Sequence, residues 1–250
     1  DHRRMTDTTP PTPGLDARDI VGEAYAVYFT RLFRLSLAAL VPLVALGLPS
    51  AIAAARAALD GYFVPPPSLF LETLKALVSV FASGLLVRGA HKAARGRPIR
   101  ILELVAETLT RAVPLYACSL VVALASGIGM LALIVPGLWI LAAWSAVVPA
   151  IVIEGAGFQA FRRSAALTRG RRWPIAGVLV ALGIFAYAPW LLVAFVTSPG
   201  LMETVGVPVW ALVVQSASAV GLGVVLTGFG VLYVHLRRLE DAGRAEPEPD

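Results

Sequence analysis

The chain has 250 residues, of which 58% are hydrophobic and 15% are charged, and its formal net charge is +5. Soluble domains carry about 25% charged residues, so this composition excludes an ordinary soluble globular protein and indicates an integral membrane protein. The positive charge does not require a nucleic-acid partner. The cytoplasmic loops of membrane proteins are rich in Lys and Arg and face anionic lipid, which accounts for it.

The segment before the first long apolar run divides into two parts. Residues 1–15 contain Thr-Thr-Pro-Pro-Thr-Pro-Gly, a composition that cannot bury a core, and we predict a disordered cytoplasmic head there. Residues 16–34 instead place Ile20, Val21 and Ala24 at helical spacing. This pattern predicts an amphipathic helix that lies on the membrane surface with its apolar face on the lipid.

Six apolar runs follow, each close to the ~20 residues that cross ~30 Å of hydrocarbon. The predicted spans are residues 35–57, 67–90, 112–134, 137–153, 174–197 and 207–235. The fold class predicted from them is all-α, an integral membrane bundle of six helices within a domain at 16–240. Residues 241–250, rich in Pro and Glu, are predicted to form a disordered cytoplasmic tail.

Basic residues fall almost entirely on one side of this six-span arrangement. Most of the 21 Lys and Arg residues lie in the head, the second-to-third connection, the fourth-to-fifth connection and the tail. Loops rich in Lys and Arg stay in the cytoplasm, so we predict that both termini are cytoplasmic. Trp173 is then predicted at an inner span end and Trp139 at an outer one, because Trp collects at both interfaces.

A repeated pattern precedes each odd-numbered span. Like residues 16–34, residues 101–111 and 157–168 place apolar side chains at helical spacing next to charged ones. We interpret the chain as three repeats of a surface helix followed by a helical hairpin, with the three amphipathic interfacial helices on the cytoplasmic side.

The most specific motif of the chain surrounds the end of the fourth span. It comprises residues 134–139 (Ile-Val-Pro-Gly-Leu-Trp), 148–155, 160–170 (Ala-Phe-Arg-Arg-Ser-Ala-Ala-Leu-Thr-Arg-Gly) and Trp173, and residues 19–25 add a shorter match. These residues resemble the membrane domain of bacterial glycerophosphoryl diester phosphodiesterases and the standalone proteins built from that domain. The resemblance implies a location in the bacterial cytoplasmic (inner) membrane. The catalytic barrel of those enzymes has no counterpart in this sequence, so we expect no phosphodiesterase activity from it.

Patterns of catalytic or metal-binding residues are missing from the sequence, which lacks His-Glu-x-x-His, Cys-x-x-Cys and a phosphate loop. With three histidines and one cysteine, a metal site would need ligands that converge from separate segments. We therefore expect no enzyme activity, no metal and no cofactor.

Charged residues inside membrane spans indicate polar sites. Lys75 lies within the second predicted span, and Glu72 precedes it on the same helix face. One interpretation is a local ion pair, with the lysine extended toward the outer surface. The other is an intramembrane polar cavity for a substrate or proton, formed by Glu72 and Lys75 and facing Gln215 of the sixth span.

Glu154, at the inner edge of the fourth span, needs a basic partner, and we expect Arg162 or Arg163 to form a structural clamp with it. The basic segment that follows is a hypothetical site for an anionic lipid headgroup. Its residues are Arg163, Arg169, Arg171, Arg172 and Trp173.

These features favour a non-enzymatic integral membrane module that binds anionic phospholipids of the inner leaflet, protein partners, or both. Such a module would support membrane homeostasis or the assembly of a membrane complex. The Gly-rich sixth span provides a surface for packing within the chain or for self-association. The alternative function is a small transporter or flippase component with its polar site around Lys75.

Overall fold

The computed structural model describes residues 17–60, 68–196 and 204–245, and within these ranges the regular elements are all helical. The predicted head at 1–15 and residues 246–250 of the predicted tail lie outside the described residues. The helices are α1 (Ala17–Val27), α2 (Phe33–Asp60), α3 (Leu69–Ala94), α4 (Ile101–Leu109), α5 (Ala112–Ala132), α6 (Ile134–Trp144), α7 (Val147–Pro149), α8 (Ala160–Leu167), α9 (Arg172–Val196) and α10 (Val207–Ala245). Tyr28–Leu32 and Ala150–Glu154 are π-helical, and Gly157–Gln159 form a 3-10 turn.

Five helical stretches are long and apolar enough to cross a membrane. They are Ala39–Ala57, Leu69–Ala94, Ala112–Ala132, Val135–Glu154 and Val207–Arg244. Each overlaps one of the predicted spans, so the all-helical class and the presence of several membrane-length helices are confirmed. Over the remaining predicted span, 174–197, the chain forms α9, in which Arg172–Ala188 qualifies as a shorter apolar helix. A sixth crossing by α9 stays a prediction.

The predicted surface helix before the first span differs from expectation, because α1 continues through the π-helical segment into α2 without interruption. Its apolar face does not lie open to lipid. Ile20, Val21 and Ala24 are buried in one core cluster with Ile175 of α9 and Leu232 of α10. Since α9 and α10 supply an apolar surface, protein covers this helix face instead of lipid.

The second predicted surface helix, α4, packs differently. Leu104 and Thr108 are fully buried, and Leu104 belongs to the core cluster that contains Leu86 of α3. On the opposite face Leu102 and Leu109 are 86% and 63% exposed. An apolar stripe of this kind on a short helix is typical of a helix that lies at a membrane surface.

The long helix α10 packs against α1, α2, α3 and α9, and its glycines allow the closest approaches. A Cβ added at Gly221 would lie 2.4 Å from the carbonyl oxygen of Ala186 in α9. One added at Gly230 would lie 2.7 Å from Cβ of Ala90 in α3. These small residues therefore serve packing within the chain. The self-association suggested for this span stays a prediction.

The C-terminal end of α10 corrects the predicted boundary of the tail. The sequence predicted an irregular tail from residue 241, whereas the helix continues to Ala245. Arg244 donates to Glu240 at 2.8 Å, one turn earlier. Ion pairs at this spacing stabilise a helix, which explains why it extends past the apolar run.

Candidate functional site

The helix break between α6 and α7 determines where α8 lies. Such a break leaves backbone groups without helical partners. The Ser164 hydroxyl of α8 donates to the carbonyl of Ala143 at 2.8 Å and accepts from the N–H of Ala146 at 3.2 Å. The Thr168 hydroxyl, one turn later, lies 3.2 Å from the same Ala143 carbonyl. Both side chains are fully buried, so α8 is docked onto the break by hydrogen bonds as well as by apolar contact.

The end of the same membrane-length segment is held by a third polar contact. The Arg111 guanidinium donates to the carbonyls of Ile151 and Val152 at 3.1 and 2.6 Å. Gly155, in the left-handed conformation with φ 73°, ends the π-helical segment there. Arg111 thus caps carbonyls near the end of that segment and helps to place Glu154, its last residue.

Glu154 and Arg163 form the clamp that the sequence predicted. The Arg163 Nε lies 2.9 Å from Glu154 Oε2, and Nη2 lies 3.1 Å from Oε1. The other expected partner, Arg162, is exposed and lies outside the clamp. In a helix, adjacent residues point in different directions, which is why only one of the two arginines faces Glu154.

Arg163 also binds a second carboxylate, which the sequence did not reveal. Its Nη1 and Nη2 lie 2.8 and 2.7 Å from the two carboxylate oxygens of Glu240 in α10. The hydrogen bonds that Arg163 donates to the Glu240 and Glu154 carboxylates hold the pKa of its guanidinium above its usual range. Because its donors are occupied by two carboxylates, Arg163 belongs to the structural clamp and not to a headgroup site.

Two further residues of α10 complete this network around Glu154. The Tyr233 hydroxyl donates to Glu154 Oε1, and Arg237 Nη1 lies 2.6 Å from the same oxygen. Tyr233, Arg237 and Glu240 are spaced by four and three residues, which places them on one helix face. That spacing is visible in the sequence, but nothing local connects this face to Glu154. We call Glu154, Arg163, Tyr233, Arg237 and Glu240 the α8–α10 clamp.

The remaining residues of the predicted headgroup site lie at the α8–α9 connection. Arg169 is exposed, Arg171 is half-buried, and the Trp173 side chain is 66% exposed. The Arg172 guanidinium instead stacks on the ring of Trp139, with 4.1 Å between its central carbon and the ring centroid. Arg169, Arg171 and Trp173 are therefore the members of the predicted site that remain open.

The contact between Arg172 and Trp139 contradicts the prediction that the two residues lie at opposite membrane surfaces. The sequence placed these two residues at opposite membrane surfaces, yet their side chains touch. Because α8 docks onto the break in the middle of the Val135–Glu154 segment, the start of α9 packs beside that segment and brings Arg172 to Trp139. Cation–π contacts of this kind stabilise by about 0.5–2 kcal/mol.

Glu72, Lys75 and Gln215, which the sequence predicted to share an intramembrane polar site, line one cavity of about 320 Å³. Lys75 Nζ lies 2.6 Å from Glu72 Oε2, so the predicted ion pair is present within the cavity wall. Ser218 of α10 and Tyr187 of α9 add hydroxyl groups to the lining. The ion pair is therefore present, and the three residues line one cavity together with apolar side chains such as Leu43 and Leu222. A role of this cavity in moving a substrate or proton stays a prediction.

Within the described ranges, no group of three or more His, Cys, Asp or Glu side chains is placed to hold a metal ion. No protein-family model, curated protein or solved structure matches this chain.

Proposed function

We propose that this chain is a non-enzymatic membrane module that crosses the bacterial cytoplasmic membrane six times, with both termini in the cytoplasm. It would belong to the membrane-domain family of the glycerophosphoryl diester phosphodiesterases without their activity. Its function would be to bind anionic phospholipid at the inner leaflet through Arg169, Arg171 and Trp173, and so to support membrane homeostasis or assembly of a membrane complex.

The observation that carries this proposal is that Arg169 and Trp173 are exposed, and Arg171 half-buried, beside a helix held by hydrogen bonds and ion pairs. The Ser164 and Thr168 hydroxyls and the α8–α10 clamp fix α8, and these three residues follow directly after it. A basic pair near an anionic leaflet contributes about 1 kcal/mol of binding free energy per residue. An exposed Trp anchors such a segment at headgroup depth.

Lipid retention tests the proposal. The full chain, purified in an uncharged detergent from a membrane of known composition, should retain phosphatidylglycerol, measured by mass spectrometry of extracted lipid. Arg169→Gln with Arg171→Gln should lower the apparent affinity roughly thirtyfold, as two losses of about 1 kcal/mol require. Arg56→Gln, an exposed arginine on the predicted outer side, is the matched control and should retain lipid normally. Equal retention by all variants would disprove the proposal.

A second function is favoured by the cavity around Lys75. Charged side chains within membrane-length helices line substrate or proton pathways in transporters. Here Glu72, Lys75 and Gln215 come from α3 and α10 and meet in one cavity. A transporter or flippase component would use Lys75 to hold an anionic group and release it as the pairing with Glu72 changes. Accessibility of this cavity to water distinguishes the two functions.

A further inference from the structure

The turn between α3 and α4 encloses a cleft separate from the α8–α10 clamp and from the cavity around Lys75. Helix α3 ends in a Schellman motif, in which Gly96 with φ 66° donates to Ala93 at 3.0 Å and Arg97 donates to Lys92 at 2.9 Å. This reversal folds the start of α4 back beside the last turns of α3. The cleft between them has a volume of about 420 Å³.

Basic side chains dominate the lining of this cleft. Five are Arg or Lys, and one is a histidine: Arg88, His91, Lys92, Arg95, Arg97 and Arg100. The acidic lining residues are Glu103 and Glu107. Five formal positive charges thus face two negative ones, which leaves a surplus of positive charge in a partly enclosed space.

The two carboxylates are already committed to two of these basic groups. Glu107 lies 2.7 Å from Arg88 and 3.5 Å from Lys92, and Glu103 lies 3.2 Å from Lys92. Arg95, Arg97 and Arg100 form no ion pair with the Asp and Glu residues that the structure describes. Three guanidinium groups at the cleft are therefore free to bind an anion.

Two buried nitrogens of lining residues also lack hydrogen bonds. Among the described residues, Arg88 Nη1 and His91 Nδ1 are inaccessible to solvent and have no hydrogen-bond partner. Leaving a buried polar group unpaired costs about 1–3 kcal/mol, so such atoms indicate a missing partner. A ligand with several oxygen atoms in the cleft would bind the free guanidinium groups and lie next to these two residues.

The start of α4 also favours the binding of an anion. Its N-cap residue is Arg100, and no side chain caps the helix. The amide groups of the first helical turn carry a partial positive charge and bind anions in many proteins. Charge surplus, unpaired nitrogens and an uncapped helix start all favour an anion with several acceptor oxygens.

We propose that this cleft binds a terminal phosphate group, a phosphate monoester or inorganic phosphate. Guanidinium groups bind phosphate in bidentate geometry. A terminal phosphate carries close to two negative charges and three free oxygens, whereas a phosphodiester carries one charge and two such oxygens. The terminal phosphate therefore matches the charge and the donors of three free guanidinium groups better than a phosphodiester does. The site is separate from the surface formed by Arg169, Arg171 and Trp173, and it stands if that surface binds no lipid.

Thermal unfolding of the purified full chain in an uncharged detergent tests the free ion. Sodium phosphate at pH 7.5 should raise the unfolding midpoint by several degrees relative to sodium chloride of equal ionic strength, because a ligand that binds the folded state stabilises it. A lipid source is tested with the Arg169→Gln/Arg171→Gln variant, which lacks the basic pair of the proposed lipid surface, in nanodiscs of phosphatidylcholine with 20% of either phosphatidic acid, a monoester, or phosphatidylglycerol, a diester. Stabilisation by inorganic phosphate indicates a soluble ligand, and stabilisation by phosphatidic acid alone indicates a lipid headgroup. If neither stabilises beyond its control, the proposal fails.

Matched variants separate the cleft from the general basic surface. Arg95→Gln/Arg97→Gln/Arg100→Gln should raise the apparent Kd for phosphate at least tenfold, whereas Arg34→Gln/Arg162→Gln/Arg238→Gln removes the same charge from exposed positions outside both proposed sites and should leave it unchanged. Replacing the three cleft arginines by Lys keeps the charge and should restore most of the binding, which guards against a misfolded variant. Equal losses in both triple Gln variants would overturn the site. Loss of phosphatidylglycerol retention only in the Arg169/Arg171 variant would leave it intact, so the two proposals fail independently.

Discussion

The Arg163 guanidinium lies side-on against the Glu154 carboxylate, with Nε 2.9 Å from Oε2 and Nη2 3.1 Å from Oε1. The same group binds Glu240 of α10, so one arginine ties α8 to the two helical segments that flank it. Both acidic side chains are mostly buried, at 22% and 20% exposure. An unpaired charge at such a position is costly.

Arg163→Gln should therefore destabilise the protein by about 2–3 kcal/mol, at or just below the range for breaking a buried ion pair. The midpoint of thermal unfolding in detergent would fall by roughly 4–12 °C. The neighbouring Arg162→Gln removes the same charge from an exposed position and should change stability by less than about 0.5 kcal/mol. Similar effects of the two substitutions would show that the clamp does not hold α8.

Ser164→Ala should lower the free energy of unfolding by about 1–3 kcal/mol, because it leaves the Ala146 N–H without its acceptor and removes one of the two hydroxyl donors to the Ala143 carbonyl. The matched control is Ser36→Ala. Ser36 is also fully buried, but among the described residues its hydroxyl bonds only Phe33 and Tyr28, both within the same continuous helical stretch. Thermal unfolding of both variants should show the larger loss for Ser164→Ala. A larger loss for Ser36→Ala would contradict the role assigned to the helix break.

Gly221→Ala should destabilise by about 1–3 kcal/mol, because overpacking forces the backbone of α9 to shift. The added Cβ would lie 2.4 Å from the Ala186 carbonyl oxygen, which is backbone and cannot rotate away. Gly183→Ala in α9 meets no heavy atom within 4 Å and should stabilise slightly, since Ala favours a helix over Gly by about 1 kcal/mol. We expect the free energy of unfolding to fall for Gly221→Ala and to rise for Gly183→Ala. Changes of the same sign would contradict the close approach of α9 and α10.

Ser218→Cys, in a Cys118→Ala background, should react with a membrane-impermeant thiol reagent if the cavity around Lys75 admits water. Ser218 lines that cavity beside Gln215. Thr227→Cys lies nine residues further along α10 at a fully buried position and should stay unlabelled. Equally slow labelling of the two cysteines would remove the basis for a transport function and leave a local ion pair.

Asp19→Cys and Gly243→Cys, each in the Cys118→Ala background, test the number of crossings. Both positions are exposed and lie near opposite ends of the described chain. With six crossings, an impermeant reagent should label them from the same side in vesicles of defined orientation, and Arg56→Cys from the other side. Labelling of Asp19→Cys and Gly243→Cys from opposite sides would show that α9 does not cross.

Local patterns predicted the parts of this protein that depend on nearby residues. Apolar run length predicted six membrane spans, and five of them coincide with membrane-length helices among the described residues, because burial of backbone groups in hydrocarbon requires a helix of that length. The pairing of Glu154 with a nearby arginine was also predicted, since few residues separate them. The break between α6 and α7 was missed, because Ser145 and Ala146 carry no strong helix-breaking signal.

Contacts between distant segments were decided by tertiary structure. Tyr233, Arg237 and Glu240 lie about 80 residues from Glu154 in sequence, and no periodicity within α10 indicates which helix they face. The apolar face of α1 looked suited to lipid, but α9 and α10 cover it. Amphipathic spacing indicates that one face of a helix is apolar, but it does not indicate whether lipid or protein covers that face.

The amino-acid sequence by itself determined that the chain is helical, rich in membrane-length apolar segments and basic between them, because these properties follow from the transfer of each segment out of water. Only the tertiary structure decided which charges remain free. Arg163 is paired with the Glu154 and Glu240 carboxylates. Arg95, Arg97 and Arg100, by contrast, line a cleft in which Glu103 and Glu107 are already paired with Lys92 and Arg88. An electrostatic partner within a few ångströms outweighs any charge that is merely near in sequence.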